Sequence, residues 1–169
     1  GFGDYGLFMD GDWEKYQKMI GLNIASLTYL TKVFGQDMKK QRHGKILNVA
    51  STAAYLPGPL MAVYYATKAY VLRLSVALNQ ELKGSGVTVT ALCPGPTTTN
   101  FARVANAQKS SIFASKNLPT AEMVARYGFA AMMAGRPVAV HGLRNKLVTH
   151  VSGILSPAFA AKLVHRIQS

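Results

Sequence analysis

A tyrosine and a lysine stand four residues apart in Val63-Tyr64-Tyr65-Ala66-Thr67-Lys68, and Ser51 lies thirteen positions before the tyrosine. On a helix, positions i and i+4 share a face, so the phenol and the ammonium point into the same space. A free phenol has a pKa of about 10 and is a poor acid and a poor base near neutrality. A neighbouring cation favours the phenolate and lowers that pKa. The pair is therefore expected to act as a tuned proton donor and acceptor, with Lys68 lowering the pKa of Tyr64. The spacing alone is common among helices, so the surrounding elements must decide whether the groups meet at a site.

Those elements follow from pattern and punctuation. Asp12 is placed to cap a helix starting at Trp13, and Ile20, Ile24, Leu27, Phe34 and Met38 form its apolar stripe. Lys39, Lys40, Arg42 and His43 suit the negative end of that helix, and Gly44 is expected to break it. Residues 45–50 and 87–93 read as short buried strands, and 137–141 as a weaker third. A helix is predicted from about Ala62 to Lys83, and another from a Thr120 cap through Met133. Two more apolar stripes, Leu143-Leu147-Val151-Ile154-Leu155 and Phe159-Leu163-Ile167, predict a C-terminal helical pair. Buried strands alternating with helices imply an α/β fold with a parallel sheet covered on both faces. In such sheets ligands bind beyond the C-terminal strand ends. Ser51 follows the first strand directly, Pro94-Gly95 follows the second, and the Tyr64 helix starts at the same rim. The polar stretch 97–119 lacks periodicity and is expected to be a substrate loop.

Composition narrows the partners. The 169 residues carry 19 Lys and Arg against 7 Asp and Glu, a formal charge of +12. The cations are scattered, and no basic motif interleaved with aromatics is present, so nucleic acid is not expected. No apolar run reaches the roughly 18 residues that cross a bilayer, and no signal-peptide pattern is present. The lone Cys93 lies in an apolar stretch and reads as a small buried residue of a reducing, cytoplasmic compartment. His43, His141, His150 and His165 have no metal-ligand spacing, so no metal site is expected.

Taken together, these residues resemble the short-chain dehydrogenase/reductase family. Asn48-Val49-Ala50-Ser51 resembles the family's serine-bearing strand end, Tyr64-Tyr65-Ala66-Thr67-Lys68 its Tyr-x-x-x-Lys motif, and Asn23 falls at the position of its catalytic asparagine. Pro94-Gly95-Pro96-Thr97-Thr98-Thr99 resembles the loop that contacts the nicotinamide end of the cofactor, which implicates Pro94, Gly95, Thr97 and Thr99. The resemblance implies a doubly wound, Rossmann-type sheet, NAD or NADP as cofactor, a carbonyl or alcohol as substrate, and catalysis by Asn23, Ser51, Tyr64 and Lys68. Tyr64 and Lys68 would also touch the cofactor, with Lys68 on its ribose and Asn23 holding a water that relays protons. Tyr65 and Tyr70 are read as packing residues.

Against that family pattern, the Gly-rich first strand–turn–helix and the ribose-reading residue have no counterpart. Gly1 aligns with the end of a later turn, so roughly the N-terminal third of the fold is missing from the match. Residues 1–169 are expected to form one partial domain, with 143–169 as a helical extension. Gly1-Phe2-Gly3-Asp4-Tyr5-Gly6 spells a dinucleotide fingerprint, but no strand precedes it and no helix follows it directly, so a turn beside the substrate pocket is expected instead. Phe101, Ile112, Phe113 and Leu118 suggest an apolar substrate. A homo-oligomer through helices Trp13–Lys40 and Ala62–Lys83 is implied by the resemblance. Two other readings stay open: a catalytically silent remnant acting as an interaction partner, and a peripheral membrane protein using its basic C-terminus. Arg144, Lys146, Lys162 and Arg166 lie off the C-terminal apolar stripes, which suits an anionic membrane surface, while packing over the pocket or against another subunit is the ordinary alternative.

Overall fold

A computed structural model describes residues 1–108, 110–111 and 117–168. Three parallel strands form one sheet in the order β1 (Gly44–Val49), β2 (Val87–Cys93), β3 (Val138–Val140). Gly44 pairs with Val87 and Val49 with Leu92, and β3 joins β2 at Ala91↔Val138. Parallel neighbours need crossovers. Helix α3 (Ala62–Glu81) makes the first, and α5 (Ala121–Met133) the second.

Successive strand residues face opposite sides. Ala91 and Cys93 therefore meet Val71 and Leu72 of α3, while Leu92 between them meets Val124 and Ala131 of α5. That alternation explains why β2 is buried along nearly its whole length: it is covered on both faces. Cys93 has no exposed surface, in keeping with its expected burial. Thr120 caps α5 by accepting from Met123 N–H at 3.3 Å.

The first long helix is built in three parts. Asp12 caps α1 (Trp13–Ile20), accepting from Glu14 N–H at 2.9 Å. A π-type turn, Gly21–Ser26, then leads into α2 (Leu27–Lys40). The predicted apolar stripe is not the buried one. Tyr16, Met19, Asn23 and Thr31 face inward, whereas Ile20 and Phe34 are exposed. The π turn holds an extra residue, which rotates the inward line. Buried polar partners then make the Asn and Thr tolerable inside, since Thr31 donates to Asn48 Oδ1 at 3.2 Å and Asn48 Nδ2 donates to Ser75 at 3.0 Å.

Gly44 does not break α2. The helix ends at Lys40, and Arg42 beyond it turns the chain with φ 53°, His43 N–H returning to the Met38 carbonyl at 3.1 Å. Gly44 is already in β1, where a Cβ would lie 2.4 Å from Met38 Cγ. The stretch after Pro96 also differs from a plain loop. It contains the short helix α4 (Phe101–Val104), and Thr98 bridges Thr120. Helices α6 (Leu143–Ser152) and α7 (Pro157–Gln168) complete the chain.

Candidate active site

Strand β1 ends by handing Ser51 to the C-terminal rim. Ala50 N–H bonds the Leu92 carbonyl and Thr52 N–H the Pro94 carbonyl, both at 2.8 Å, so the chain stays stitched to β2 on either side of the serine. Ser51 Oγ accepts from Ala53 N–H at 3.1 Å and so caps the 3-10 turn Thr52–Tyr55. The same hydroxyl donates to the Pro94 carbonyl at 3.4 Å and is near enough to the Tyr64 phenol to oppose the rise in its pKa.

Tyr64 and Lys68 sit one turn apart near the start of α3, as their spacing requires. The phenol ring rests against Phe101 at 5.1 Å between centroids and against Tyr65 edge-on at 6.1 Å. Met61, Ala105 and Ala107 close the apolar patch around it. Lys68 is buried, donates to the Val49 carbonyl at 2.9 Å, and lies 5.8 Å from the Tyr64 ring centre. The ammonium thus bridges the end of β1 to the first turns of α3.

The electrostatics depart from expectation. Burial pushes Tyr64 up to about 12, opposed by the Ser51 hydrogen bond. The lowering expected from Lys68 does not appear. Burial also pulls Lys68 itself down to about 8, so it keeps its proton near neutrality but loses it at a lower pH than an exposed lysine. In this state the phenol is firmly protonated.

Asn23 lies on the π turn between α1 and α2, a helix irregularity common at functional sites. It is buried, not solvent-facing. Its Nδ2 donates to the Phe2 carbonyl at 3.0 Å and to Thr67 Oγ1 at 3.1 Å, and its Oδ1 accepts from Phe2 N–H at 3.3 Å. Thr67 Oγ1 donates in turn to the Tyr64 carbonyl at 2.7 Å, so Asn23 is tied to the backbone of the tyrosine. Gly1 is wedged between Asn23 and Lys68: a Cβ there would stand 2.4 Å from Asn23 Oδ1 and 3.3 Å from Lys68 Nζ.

The loop after β2 brings the remaining predicted residues to the same rim. Thr97 Oγ1 donates to the Gly95 carbonyl at 2.9 Å, and Thr99 Oγ1 accepts from Phe101 N–H at 3.2 Å. Gly95 packs so closely on Asn145 of α6 that a Cβ would lie 2.5 Å from its Nδ2. Thr99 also has a plain structural task, since it starts the helix that presents Phe101 to Tyr64. Of the expected pocket residues, Ile112 and Phe113 lie outside the described residues.

Several contributors were not legible. Thr67 looks like an ordinary helix residue, although a β-branched hydroxyl bonded to a carbonyl three residues back is a helical habit of threonine. Tyr5 donates to the Gln168 carbonyl at 2.6 Å, and Gln168 Nε2 donates to Tyr65 at 2.7 Å, joining both ends of the chain beside the site. Separations of 163 and 103 residues leave no local signal. In the Gly-x-Gly-x-x-Gly stretch, Gly3 lies against Tyr64, Met61 and Phe101, with a Cβ 3.0–3.2 Å from each. Among the described residues no cluster of three His, Cys, Asp or Glu stands ready for a metal.

Known proteins resemble this chain in sequence and fold. The short chain dehydrogenase family model matches residues 1–110. The 2-dehydro-3-deoxy-D-gluconate 5-dehydrogenase of Bacillus subtilis is 32% identical over 126 residues, 74% of this chain and 48% of that protein. A short-chain dehydrogenase from Sphingobium yanoikuyae, solved with NADPH, superposes with a TM-score of 0.77 at 26% identity, over 91% of this chain and 61% of that one. The 3-ketoacyl-(acyl-carrier-protein) reductase of Brucella melitensis, solved with NADH, gives a TM-score of 0.68 at 26% identity, over 83% and 61%. The chain thus spans about half the length of the curated relative and less than two thirds of these solved structures. With its parallel sheet, its rim and its family match in agreement, this chain belongs to the short chain dehydrogenase family.

Proposed function

We propose that this chain carries the acid–base half of an NAD(P)-dependent oxidoreductase that interconverts a carbonyl and an alcohol. The observation that carries this reading is the convergence of Ser51, Tyr64 and buried Lys68 at the C-terminal rim of the sheet, with Ser51 near enough to oppose the rise in the Tyr64 pKa. A bound nicotinamide would supply or accept the hydride. The nicotinamide end of such a cofactor suits the residues at this rim. The Val49 carbonyl takes one of the three ammonium protons of Lys68, leaving donors for ribose hydroxyls. Thr99 uses its oxygen as an acceptor and keeps its proton to donate.

Within that reading each group has one task. Tyr64 donates its proton to the carbonyl oxygen as negative charge grows there. Ser51 turns its hydroxyl from Pro94 toward the same oxygen and holds it. Lys68 stabilises the phenolate left behind, and Asn23 fixes Thr67 and, through it, the first turn of α3. Tyr5, Tyr64, Tyr65, Phe101 and Met61 make an apolar wall, which suits a substrate with an apolar body.

The test is turnover of NADH or NADPH with a panel of apolar ketones. Tyr64→Phe should lower the rate at least about a hundredfold, the scale of a lost general acid, with an unchanged circular-dichroism spectrum. Retained carbonyl reduction would defeat the assignment of Tyr64. The second reading, a silent remnant, is favoured by one observation: β1 lies at an edge of the described sheet, with Val49 half exposed. Titration of the full chain with both cofactors separates the two, because micromolar binding is incompatible with a remnant.

A further inference from the structure

We propose that α6 and α7 seat this protein on an anionic bilayer surface, with their apolar stripes in the interface and Arg144, Lys146, Lys162 and Arg166 among the headgroups. At 3.6 residues per turn, Leu143, Leu147 and Val151 fall on one side of α6, and Ile154 follows in the turn after it. All four face solvent, at 84, 66, 44 and 86% exposure. The same geometry puts Arg144 and Lys146 on opposite flanks of that stripe. In α7, Phe159, Leu163 and Ile167 are exposed in register, and Lys162 and Arg166 lie along one border. An apolar stripe bordered by cations is the geometry of a helix lying in a membrane interface.

The buried line of α6 lies opposite its stripe, and that of α7 runs beside its stripe. Thr149, Ser152, Ala160, Val164 and Gln168 are buried against the rest of the molecule. The stripes stay exposed beside those buried lines. Charge decides what covers them. The sequence has no Asp or Glu after Glu122. A symmetric contact between two copies would set this surface against itself, cation facing cation with no acid between. An anionic leaflet supplies the missing charge, and each cation near it strengthens attachment about fivefold.

The consequence for the site is positional. Gln168 bonds Tyr65 and Tyr5, and the Ile167 carbonyl accepts from Ser111. The Tyr65 corner of the site thus lies within one helix diameter, about 10 Å, of the proposed lipid surface.

Flotation of the full chain with vesicles tests this without reference to catalysis. The chain should bind vesicles of phosphatidylcholine with phosphatidylserine and leave pure phosphatidylcholine largely free. Leu147→Glu with Ile154→Glu, and separately Arg144→Glu with Lys146→Glu, should each weaken binding at least tenfold. Lys39→Glu with Lys40→Glu makes the same charge change on α2 and should weaken it less than threefold. All six positions are exposed, and circular dichroism checks that each variant folds. Equal loss in the α2 pair would reduce the effect to bulk charge and overturn the proposal. So would unchanged binding of the Leu147/Ile154 pair. A wild-type dimer by light scattering that this pair dissolves, with no vesicle binding, would assign the face to a second copy instead.

Discussion

Lys68 is the residue whose chemistry costs the fold most. A lysine that titrates near 10.5 when exposed is pulled down to about 8 by burial. Between those values the unfolded chain holds a proton that the folded chain has lost, so this group makes stability rise as pH climbs from about 8 to 10.5. Below 8 the penalty is complete, on the order of 3 kcal/mol as an upper bound. Lys68→Met should therefore be more stable than the parent at pH 7, and the difference should shrink to near zero by about pH 10.5. Urea titrations at several pH values measure it, and a constant difference would refute the link. Tyr64 has the opposite sign. Its rise to about 12 favours the folded state below pH 10 and is lost as pH approaches 12. A protonated phenol suits donation to a carbonyl, so in the proposed reaction reduction should hardly vary through Tyr64 between pH 6 and 9. Alcohol oxidation needs the phenolate and should rise about tenfold per pH unit. Stopped-flow rates in both directions would test the pair.

At the scale of elements, the site depends on how α3 and β1 are held. Asn48 links Thr31 of α2 to Ser75 of α3 through buried hydrogen bonds, and Ser75 donates on to the Val71 carbonyl at 2.7 Å. This strut fixes β1 against both helices, and with it Ser51 against Tyr64. The turn into β2 is the other fixed point. Gly86 has φ +82°, and a Cβ there would lie 1.9 Å from the Arg42 carbonyl oxygen, while its own carbonyl accepts from Gly44 N–H at 3.2 Å. Gly84 has the same φ but open space around it. Gly84→Ala should cost about 1 kcal/mol from backbone strain alone, and Gly86→Ala clearly more because the register of β1 and β2 must shift as well. Equal losses in chemical denaturation would show that the close approach is unimportant. Much of this scale was legible. The strand ends, both caps and the crossover helices follow from Asp12, Thr120 and the apolar runs. The face of the first helix was not, because a π turn changes the phase that a 3.6-residue pattern assumes.

Over the whole molecule, exposed apolar side chains among the described residues gather on α6–α7, on α5 (Met123, Phe129, Met133), at Leu7, Phe8 and Met9, and on the α1–α2 side. Tyr29, Leu30 and Phe34 of α2 and Val76 of α3 are all exposed. The resemblance assigns the long helices to a homo-oligomer. Phe34→Glu should then shift a dimer toward monomer in light scattering, and an unchanged mass would remove α2 from the contact. Among the described residues no helix is long and apolar enough to cross a membrane. Strand length, helical spacing and Pro-Gly punctuation are local signals, and they were enough to read the α/β order, the rim at which Ser51, Tyr64 and Lys68 gather, and the family. They left open which atoms touch. Tertiary structure alone decided that Asn23 faces inward, that Gln168 closes on Tyr65 from the far end of the chain, and that burial, rather than the neighbouring ammonium, governs the Tyr64 proton. Each of these is a matter of distance and desolvation between segments remote in sequence, on which residue type and spacing are silent.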